Sequence, residues 1–563
     1  MRAWLNLRLE IIGAASCLGM LMAVAPPYFE DITTASGIHF RHESSPTSNK
    51  YLPETMGGGV AVFDFDNDGD LDLFFTNGAA IDDPMPPGKM PEKRNSRYWN
   101  RLYSNDGNGK FTDITERSGL SGLGTGYGMG VAAGDFDNDG FQDLYLTAYG
   151  RNFLYRSRGD GTFEDVTEKS GTAASGWSTS AGFFDYDNDG KLDLFVCRYL
   201  DWTFTNNIYC GDRKPGGRAY CHPNNFKGIE NMLFHNNGDG TFSNVSAQSG
   251  IAKAEGKGLG VAFADYDGDG WTDIYVANDS VMSFLYRNQG DGSFEESALA
   301  AGTGYNDDGK PFAGMGVDFA DYDNDGRPDI FVTNLSLEMY ALYRNSREGH
   351  FQYATSQTGV GHATHSFSGW GAKFIDFDND GWKDIFVAQG HVLDTIGLTA
   401  PNLQYLQPPL LLRNEKGTFV RVPPTLAGPG FAASRPGRGA AFGDLDNDGD
   451  VDVVVSNVGQ TPTILRNTLG NRNHWLLIRV EGVSSNRDGI GAMVRVTRTS
   501  GATQVYEVQT AAGYLSASDR RILIGLERDT LVPKIEIRWP GGRKRTLTKV
   551  KADQILLIRE PAA

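Results

Sequence analysis

Seven stretches of this chain share the pattern D-x-D-x-D-G-x-x-D. The first is Asp64, Asp66, Asp68, Gly69 and Asp72. It returns as Asp135, Asp137, Asp139, Gly140 and Asp143, then as Asp185, Asp187, Asp189, Gly190 and Asp193. Next come Asp265, Asp267, Asp269, Gly270 and Asp273, then Asp321, Asp323, Asp325, Gly326 and Asp329. The last two are Asp376, Asp378, Asp380, Gly381 and Asp384, and Asp444, Asp446, Asp448, Gly449 and Asp452. Carboxylates at positions 1, 3, 5 and 9 are hard oxygen donors, and a cation of calcium's size takes six to eight such oxygens. Position 7 commonly adds a backbone carbonyl. Glycine at position 6 permits the positive φ of a tight turn. Aspartates crowded into one turn repel one another unless a cation sits between them. The spacing therefore predicts Ca2+ at up to seven sites, with these twenty-eight aspartates as ligands. Magnesium fits less well, because it demands a tight octahedron and keeps its waters. Loops already filled with protein ligands point to a structural ion, and no catalytic residue is assigned.

The surroundings of each loop repeat as well. A small-residue alternating segment precedes it, as in Gly57-Gly58-Gly59-Val60-Ala61-Val62-Phe63, and an apolar run follows, as in Leu144-Tyr145-Leu146. A third strand such as Leu285-Tyr286-Arg287-Asn288 and a Gly turn into a fourth, Gly161-Thr162-Phe163-Glu164, complete the unit. Period-2 patterning between Gly, Asn and Asp turns signals strands. Four short strands repeated radially make a propeller blade, so the fold class is all-β, a seven-bladed β-propeller. The seventh unit lacks its Gly-x-Phe strand, and Tyr28 to Thr33 supplies one at the other end of the chain. The N-terminal strand is expected to complete the last blade and remove an open sheet edge. The Gly-rich strands are expected at the axis, with all acidic loops on one face. The long insertions Gly78 to Tyr98, Arg198 to Ile229 and Gly390 to Pro409 then share the other face, where recognition is expected.

After Asn467 the acidic loops stop. Strands are predicted at His474 to Val480, Ala492 to Val496, Gln504 to Val508, Ile522 to Ile524, Ile535 to Trp539 and Ile555 to Ile558. The chain divides into a leader (1–25), the propeller (26–467) and a small β-sandwich-like domain (468–560). The last of these has a basic balance, so the two domains could attract each other. The acidic loops between Gly-rich and apolar strands resemble the FG-GAP/VCBS repeats of integrin-α-like propellers. Ile490-Gly491-Ala492, Ala512-Gly513-Tyr514-Leu515-Ser516 and Ile537-Arg538-Trp539-Pro540-Gly541-Gly542 resemble the ASPIC/UnbV domain. The pairing is similar to the cartilage acidic protein family and its bacterial relatives. The resemblance implies calcium binding and extracellular interaction and no agreed reaction. Ala517 stands where many relatives carry Gln.

Net charge is −18, which argues against nucleic acid or an anionic membrane as partner. The loop aspartates with Asp70 and Asp450 make thirty of the seventy acidic residues, so the acidity reads mainly as metal sites. Met1 to Ala25 has Arg2, Arg8, an apolar run and an A-x-A ending, the form of a secretory signal peptide. An uncleaved anchor is the alternative, and would be the only membrane contact. The location expected is extracellular, periplasmic or at the cell surface. Cys210 and Cys221 bracket a polar loop and fit a disulfide in an exported protein, whereas Cys197 lies in an apolar strand as a buried thiol.

The expected function is an extracellular binding and adhesion module for a protein or glycan ligand. Two rivals remain. His42, His222, His365 and His391 with Glu54 could converge on the insertion-bearing face and hold a transition metal or act as acid and base; His39 and His362 lie nearby in sequence. Alternatively each braces a loop. Tyr127, Trp177, Trp202, Tyr340 and Trp370 could stack on sugars, as in a lectin, or pack loop against blade. No G-x-S-x-G serine, phosphate loop or dinucleotide fingerprint is present.

Overall fold

The computed structural model describes residues 26–562 except 125, 347, 348 and 512. The leader assigned to 1–25 lies outside these residues. No helix among the described residues is long and apolar enough to cross a membrane.

Seven four-stranded antiparallel units form the ring of a propeller. Unit 1 runs Val60–Phe63, Asp72–Phe75, Arg101–Asn105 and Phe111–Asp113, each strand paired to the next. Units 2 and 3 are additionally joined where Tyr149–Arg151 pairs with Ser175–Trp177. In unit 7 the fourth strand is Phe29–Asp31, antiparallel to Leu465–Asn467, so the two chain ends share one sheet as the sequence predicts. Second strands such as Leu73-Phe74-Phe75 are fully buried on both faces. Each such Leu or Phe contributes about 1.5–3 kcal/mol by leaving water.

The Gly-rich first strands lie at the axis, each packed against the first strand of the next unit, and that of unit 7 against that of unit 1. Gly59 shows why glycine is needed there. A Cβ on it would come within 2.8 Å of Gly130 Cα and of the Met129 carbonyl. That carbonyl instead accepts the Gly59 N–H at 2.9 Å, a bond from one unit to the next.

The C-terminal region holds two sheets. His474–Glu481 lies between Ile522–Glu527 and Gln554–Arg559, the latter parallel to it. Met493–Thr497 lies between Thr503–Glu507 and Leu531–Arg538. Lys544–Lys551 forms an additional edge strand against Leu531–Arg538, beyond the six strands expected from the sequence. Its pattern Lys-Arg-Thr-Leu-Thr-Lys-Val-Lys is mostly exposed and charged, as befits an edge, and carries little apolar alternation.

The axis of the ring is filled from this C-terminal region. Residues Gly513 to Ser518 thread it as an irregular segment joined to the ring by isolated β-bridges. Val317 and Gly513 exchange both backbone bonds, Val131 N–H donates to Leu515 O at 3.1 Å, and Val62 N–H donates to Ala517 O at 3.0 Å. Leu515 N–H donates to Ser180 Oγ at 2.9 Å, and Leu515 sits at φ +58°. That conformation costs a non-glycine residue roughly 1–2 kcal/mol, and the bonds on both sides of Leu515 hold it. Tyr514 is fully buried and its hydroxyl donates to the Met56 carbonyl at 2.7 Å.

Candidate metal centres

Of the twenty-eight predicted aspartates, the twenty-one at positions 1, 3 and 5 fall in the turns between first and second strands, and the seven at position 9 open the second strands, all at one face of the ring. Their side chains divide the work in the same way in each copy. The position-1 carboxylate accepts the N–H of the position-6 glycine, from Asp64 and Gly69 at 3.2 Å round to Asp444 and Gly449 at 2.9 Å. The position-9 carboxylate uses both oxygens structurally. Asp72 accepts Phe65 N–H at 3.1 Å and Asn105 N–H at 2.9 Å, tying the loop to the third strand. Asp143, Asp193, Asp273, Asp329, Asp384 and Asp452 make the same pair of bonds.

Each carboxylate oxygen has further lone pairs, and several oxygens are left without any partner. Asp64, Asp66, Asp265, Asp378 and Asp446 each bury an unpartnered Oδ1. Buried acceptors need a partner. Candidate donor atoms lie within 4.8 Å of one another in Asp64/Asp66/Asp72, Asp135/Asp137/Asp143, Asp185/Asp187/Asp189 and Asp265/Asp267/Asp269, among other groups. Burial first, and neighbouring carboxylates below it, push Asp72 up to about 9 and Asp185 to about 8. An oxygen-rich nest that is costly to ionise and incompletely hydrogen-bonded fits a hard divalent cation, and these clusters could hold one. Position 7 adds two acids outside the predicted set, Asp70 and Asp450; Asp450 is fully buried with one oxygen unpartnered.

The loops are also linked by two belts of asparagine. At position 4, Asn67 donates to the Gly140 carbonyl of the next loop at 2.8 Å. Asn138, Asn188, Asn324, Asn379 and Asn447 do the same, the last closing the ring onto Gly69. In the third strands, Asn105, Asn236, Asn288, Asn345, Asn414 and Asn467 donate backwards to the position-2 carbonyl of the preceding loop. Each belt has one gap: Gly268 at position 4 of unit 4, and Ser157 in the third strand of unit 2. These asparagines recur visibly in the sequence, but a side chain that bonds a different repeat leaves no local signature. Gly268 has φ +79° and open space around its missing Cβ, a conformation asparagine tolerates. Gly268→Asn is expected to restore the link to Gly326 and raise stability by about 1 kcal/mol. A rightward shift of the urea unfolding midpoint at unchanged slope checks it; no shift means the belt is not stabilising.

The C-terminal region covers this face, as its basic balance suggests. Arg538 pairs with Asp265 at 2.7 Å, Arg521 reaches Asn447 at 2.9 Å and the Asp444 carbonyl at 3.1 Å, and Arg498 donates to the Asp380 carbonyl at 3.1 Å. Asp135 N–H donates to Asp488 at 2.9 Å. The Trp475 ring lies on Gly449, where a Cβ would collide with it.

Comparison with known proteins agrees with this arrangement. A model of the FG-GAP-like repeat matches residues 93–146, 135–196, 224–276 and 265–332, and one described as ASPIC and UnbV matches 482–563. The chain carries FG-GAP-like repeats followed by an ASPIC and UnbV domain. Cartilage acidic protein 1 of Mus musculus is 25% identical over 95% of this chain and 78% of its own length. The Homo sapiens protein of that name is 24% identical over 95% and 76%. Among solved structures, the BP39L lectin from Burkholderia pseudomallei is 11% identical, with TM-score 0.42, over 73% of this chain and 96% of that one. An Agrocybe aegerita lectin that recognises non-reducing terminal N-acetylglucosamine is 15% identical, with TM-score 0.36, over 72% and 87%.

On the far side of the FG-GAP ring the second-to-third and fourth-to-first connections meet. The five aromatics proposed as sugar platforms are buried: Tyr127, Trp177 and Tyr340 at 0%, Trp370 at 1% and Trp202 at 2% exposed. They pack loop against ring, as Trp177 does edge-on to Tyr199 with centroids 5.0 Å apart. They offer no ring to a sugar. The histidines brace backbone. His42 Nδ1 accepts Gly459 N–H at 3.3 Å, His391 Nδ1 accepts Leu393 N–H at 3.0 Å, and His222 Nδ1 accepts Asn224 N–H at 3.2 Å. His365 ends the helix Val360–Thr364, which contains His362; His39 is exposed. Burial lowers His42 to about 3 and His391 to about 4, so both are neutral at ordinary pH. Glu54 is buried and raised to about 7, mainly by desolvation, and accepts from Thr47 at 2.5 Å, Tyr51 N–H at 3.1 Å and Tyr220 at 3.0 Å. Tyr220 adjoins the Cys210–Cys221 disulfide, so Glu54 pins the unit 3 insertion to the chain before unit 1. Cys197 is free and buried, as expected.

Proposed function

We propose that this protein is an exported calcium-binding propeller that acts as an extracellular or surface-attached binding and adhesion module, presenting the insertion-bearing face to a protein or glycan ligand. One observation carries the reading: the two faces differ in cover. The loop face is capped by the ASPIC/UnbV domain and the axis is plugged. The exposed large apolar side chains Leu123, Ile208, Tyr209, Leu337, Leu398 and Leu406 lie on the connections of the opposite side. Exposed apolar groups rimmed by polar ones mark interaction surfaces. A rigid scaffold carrying long loops on one side is a common way to present them.

In this reading the twenty-eight loop aspartates hold up to seven Ca2+ ions. The bound ion neutralises each turn; the aspartates at positions 1 and 9 hold the turn shut against its own glycine and third strand. Weak sites of the extracellular kind, with Kd about 10⁻⁴–10⁻³ M, fill outside a cell and stay largely empty in cytosol. The Cys210–Cys221 bond supports an oxidising compartment. The test is binding to arrays of glycans and of secreted proteins with calcium present. The expected result is a ligand retained by the natural chain and lost by a variant with Ile208, Tyr209 and Leu398 all changed to Ser. Equal retention by that variant removes the assignment of the face, and no ligand on either array removes the binding function.

A further inference from the structure

The seven third strands share one position that faces the acidic loop of their own unit. It is Arg156, Arg287, Arg344, Arg413 and Arg466 in units 2, 4, 5, 6 and 7, and Ser104 in unit 1. Each of these arginines reaches loop carboxylates, as Arg287 does with Asp267 at 2.7 Å and Arg344 with Asp323 at 2.6 Å. A guanidinium donates hydrogen bonds and cannot bind a metal. In unit 3 the position is His235. An imidazole nitrogen is a metal ligand.

His235 Nδ1 lies 3.4 Å from Asp187 Oδ2 and 3.2 Å from Asp193 Oδ1. The nitrogen is buried, and neither oxygen lies in the alignment of a well-formed hydrogen bond to it. Asp193 is fully buried, and the three donor atoms lie within 4.8 Å of one another. Zn2+ binds histidine nitrogen and aspartate oxygen at about 2.0–2.2 Å in a tetrahedron, whose edges are then about 3.3 Å. The two separations match such an edge. The side chain of His235 is 27% exposed, so the site can be reached from solvent. Asp185 and Asp189 lie beside it in the same loop, with Asp187 common to both groups.

We propose that the unit 3 loop binds one borderline transition-metal dication, Zn2+ or a close analogue, through His235 Nδ1, Asp187 and Asp193, with a fourth position open to water. The other loops, which have no nitrogen donor at this position, keep only oxygen for hard cations. The inference rests on the metal-binding reading of the loops and adds a chemically distinct site to it.

The test uses the full chain, stripped with chelator, returned to excess calcium and titrated with Co2+ as a visible-absorbing stand-in for Zn2+. One equivalent is expected to give the ligand-field absorption of a low-coordinate nitrogen–oxygen site and to be displaced by Zn2+. His235→Arg, the residue of five other units, and His235→Asn are both expected to lose that signal and to weaken Zn2+ binding by more than about tenfold, the lower end of what even an outer-shell partner supplies. Circular dichroism identifies which variant is folded and therefore informative. No saturable Co2+ or Zn2+ binding by the natural chain, or a signal that survives in a folded His235 variant, overturns the proposal. Equilibrium dialysis of calcium on the same samples separates the two readings: calcium bound without Co2+ rejects only the unit 3 site, whereas neither ion bound rejects the loops as metal sites.

Discussion

Removing divalent cations with a chelator is expected to lower the thermal unfolding midpoint by roughly 10 °C or more, and about 10 mM calcium to restore it. The size follows from linkage. An ion at ten to a hundred times its Kd stabilises the folded chain by about 1.4 to about 2.7 kcal/mol per site, provided the unfolded chain does not bind it. The sites are in series around a closed ring. A loop that opens releases the position-9 carboxylate from the third strand and the asparagine links to both neighbours. The effect should therefore be felt by the whole ring as one transition. Magnesium at the same concentration is expected to restore less, because it holds its waters. Scanning calorimetry with chelator, calcium and magnesium decides this; an unchanged midpoint after complete metal removal defeats the calcium reading.

The second large effect concerns the axis. Tyr514→Ala is expected to destabilise the chain by about 3–5 kcal/mol, the usual range for emptying a large aromatic site. Tyr514 is fully buried, stands edge-on to Trp370 at 4.9 Å between centroids, and donates its hydroxyl to Met56. Met56 closes the short helix that contains Glu54, so one side chain from the C-terminal domain holds the far side of the ring. Arg438 joins the same junction, fully buried over the Trp370 ring at 4.0 Å and donating to the Thr55 carbonyl at 2.7 Å. Tyr514→Phe keeps the ring and loses only the hydroxyl, so a loss of about 1–3 kcal/mol is expected, for the unsatisfied Met56 carbonyl. Urea unfolding of the three chains measures both numbers. A loss under about 1 kcal/mol for Tyr514→Ala shows that the axis tolerates a void and that the inserted segment is held by its backbone alone.

Several residues that organise the candidate sites carry no signal of their own. Position-4 asparagine stands in six of seven loops, and position-9 aspartate in all seven, yet the pattern reads them alike as turn or ligand residues. Their further role, bonding a neighbouring loop or a third strand, needs two repeats in register. His235 is visible only once the third strands are aligned by structure and the slot is seen to be arginine in five of the other six units. The histidines that stand out in the chain, His42, His222 and His391, turn out to accept backbone N–H groups of nearby loops.

What the chain alone determines is what repeats and what is local. Turn chemistry at Asp-x-Asp-x-Asp-Gly and alternation over four short strands act within tens of residues, and so they define the unit, its number of copies, the acidic loops and the closing strand at Tyr28 to Thr33. Only the tertiary structure decides how space left over by the ring is used. Closing seven units leaves an axial gap lined by backbone, and unpaired N–H and carbonyl groups there must find partners. Gly513 to Ser518 supplies them across separations such as Val62 to Ala517, which no local pattern records. The same insertion fixes the C-terminal domain over the acidic loops, and the opposite face keeps its exposed apolar side chains, the surface on which the proposed binding function rests.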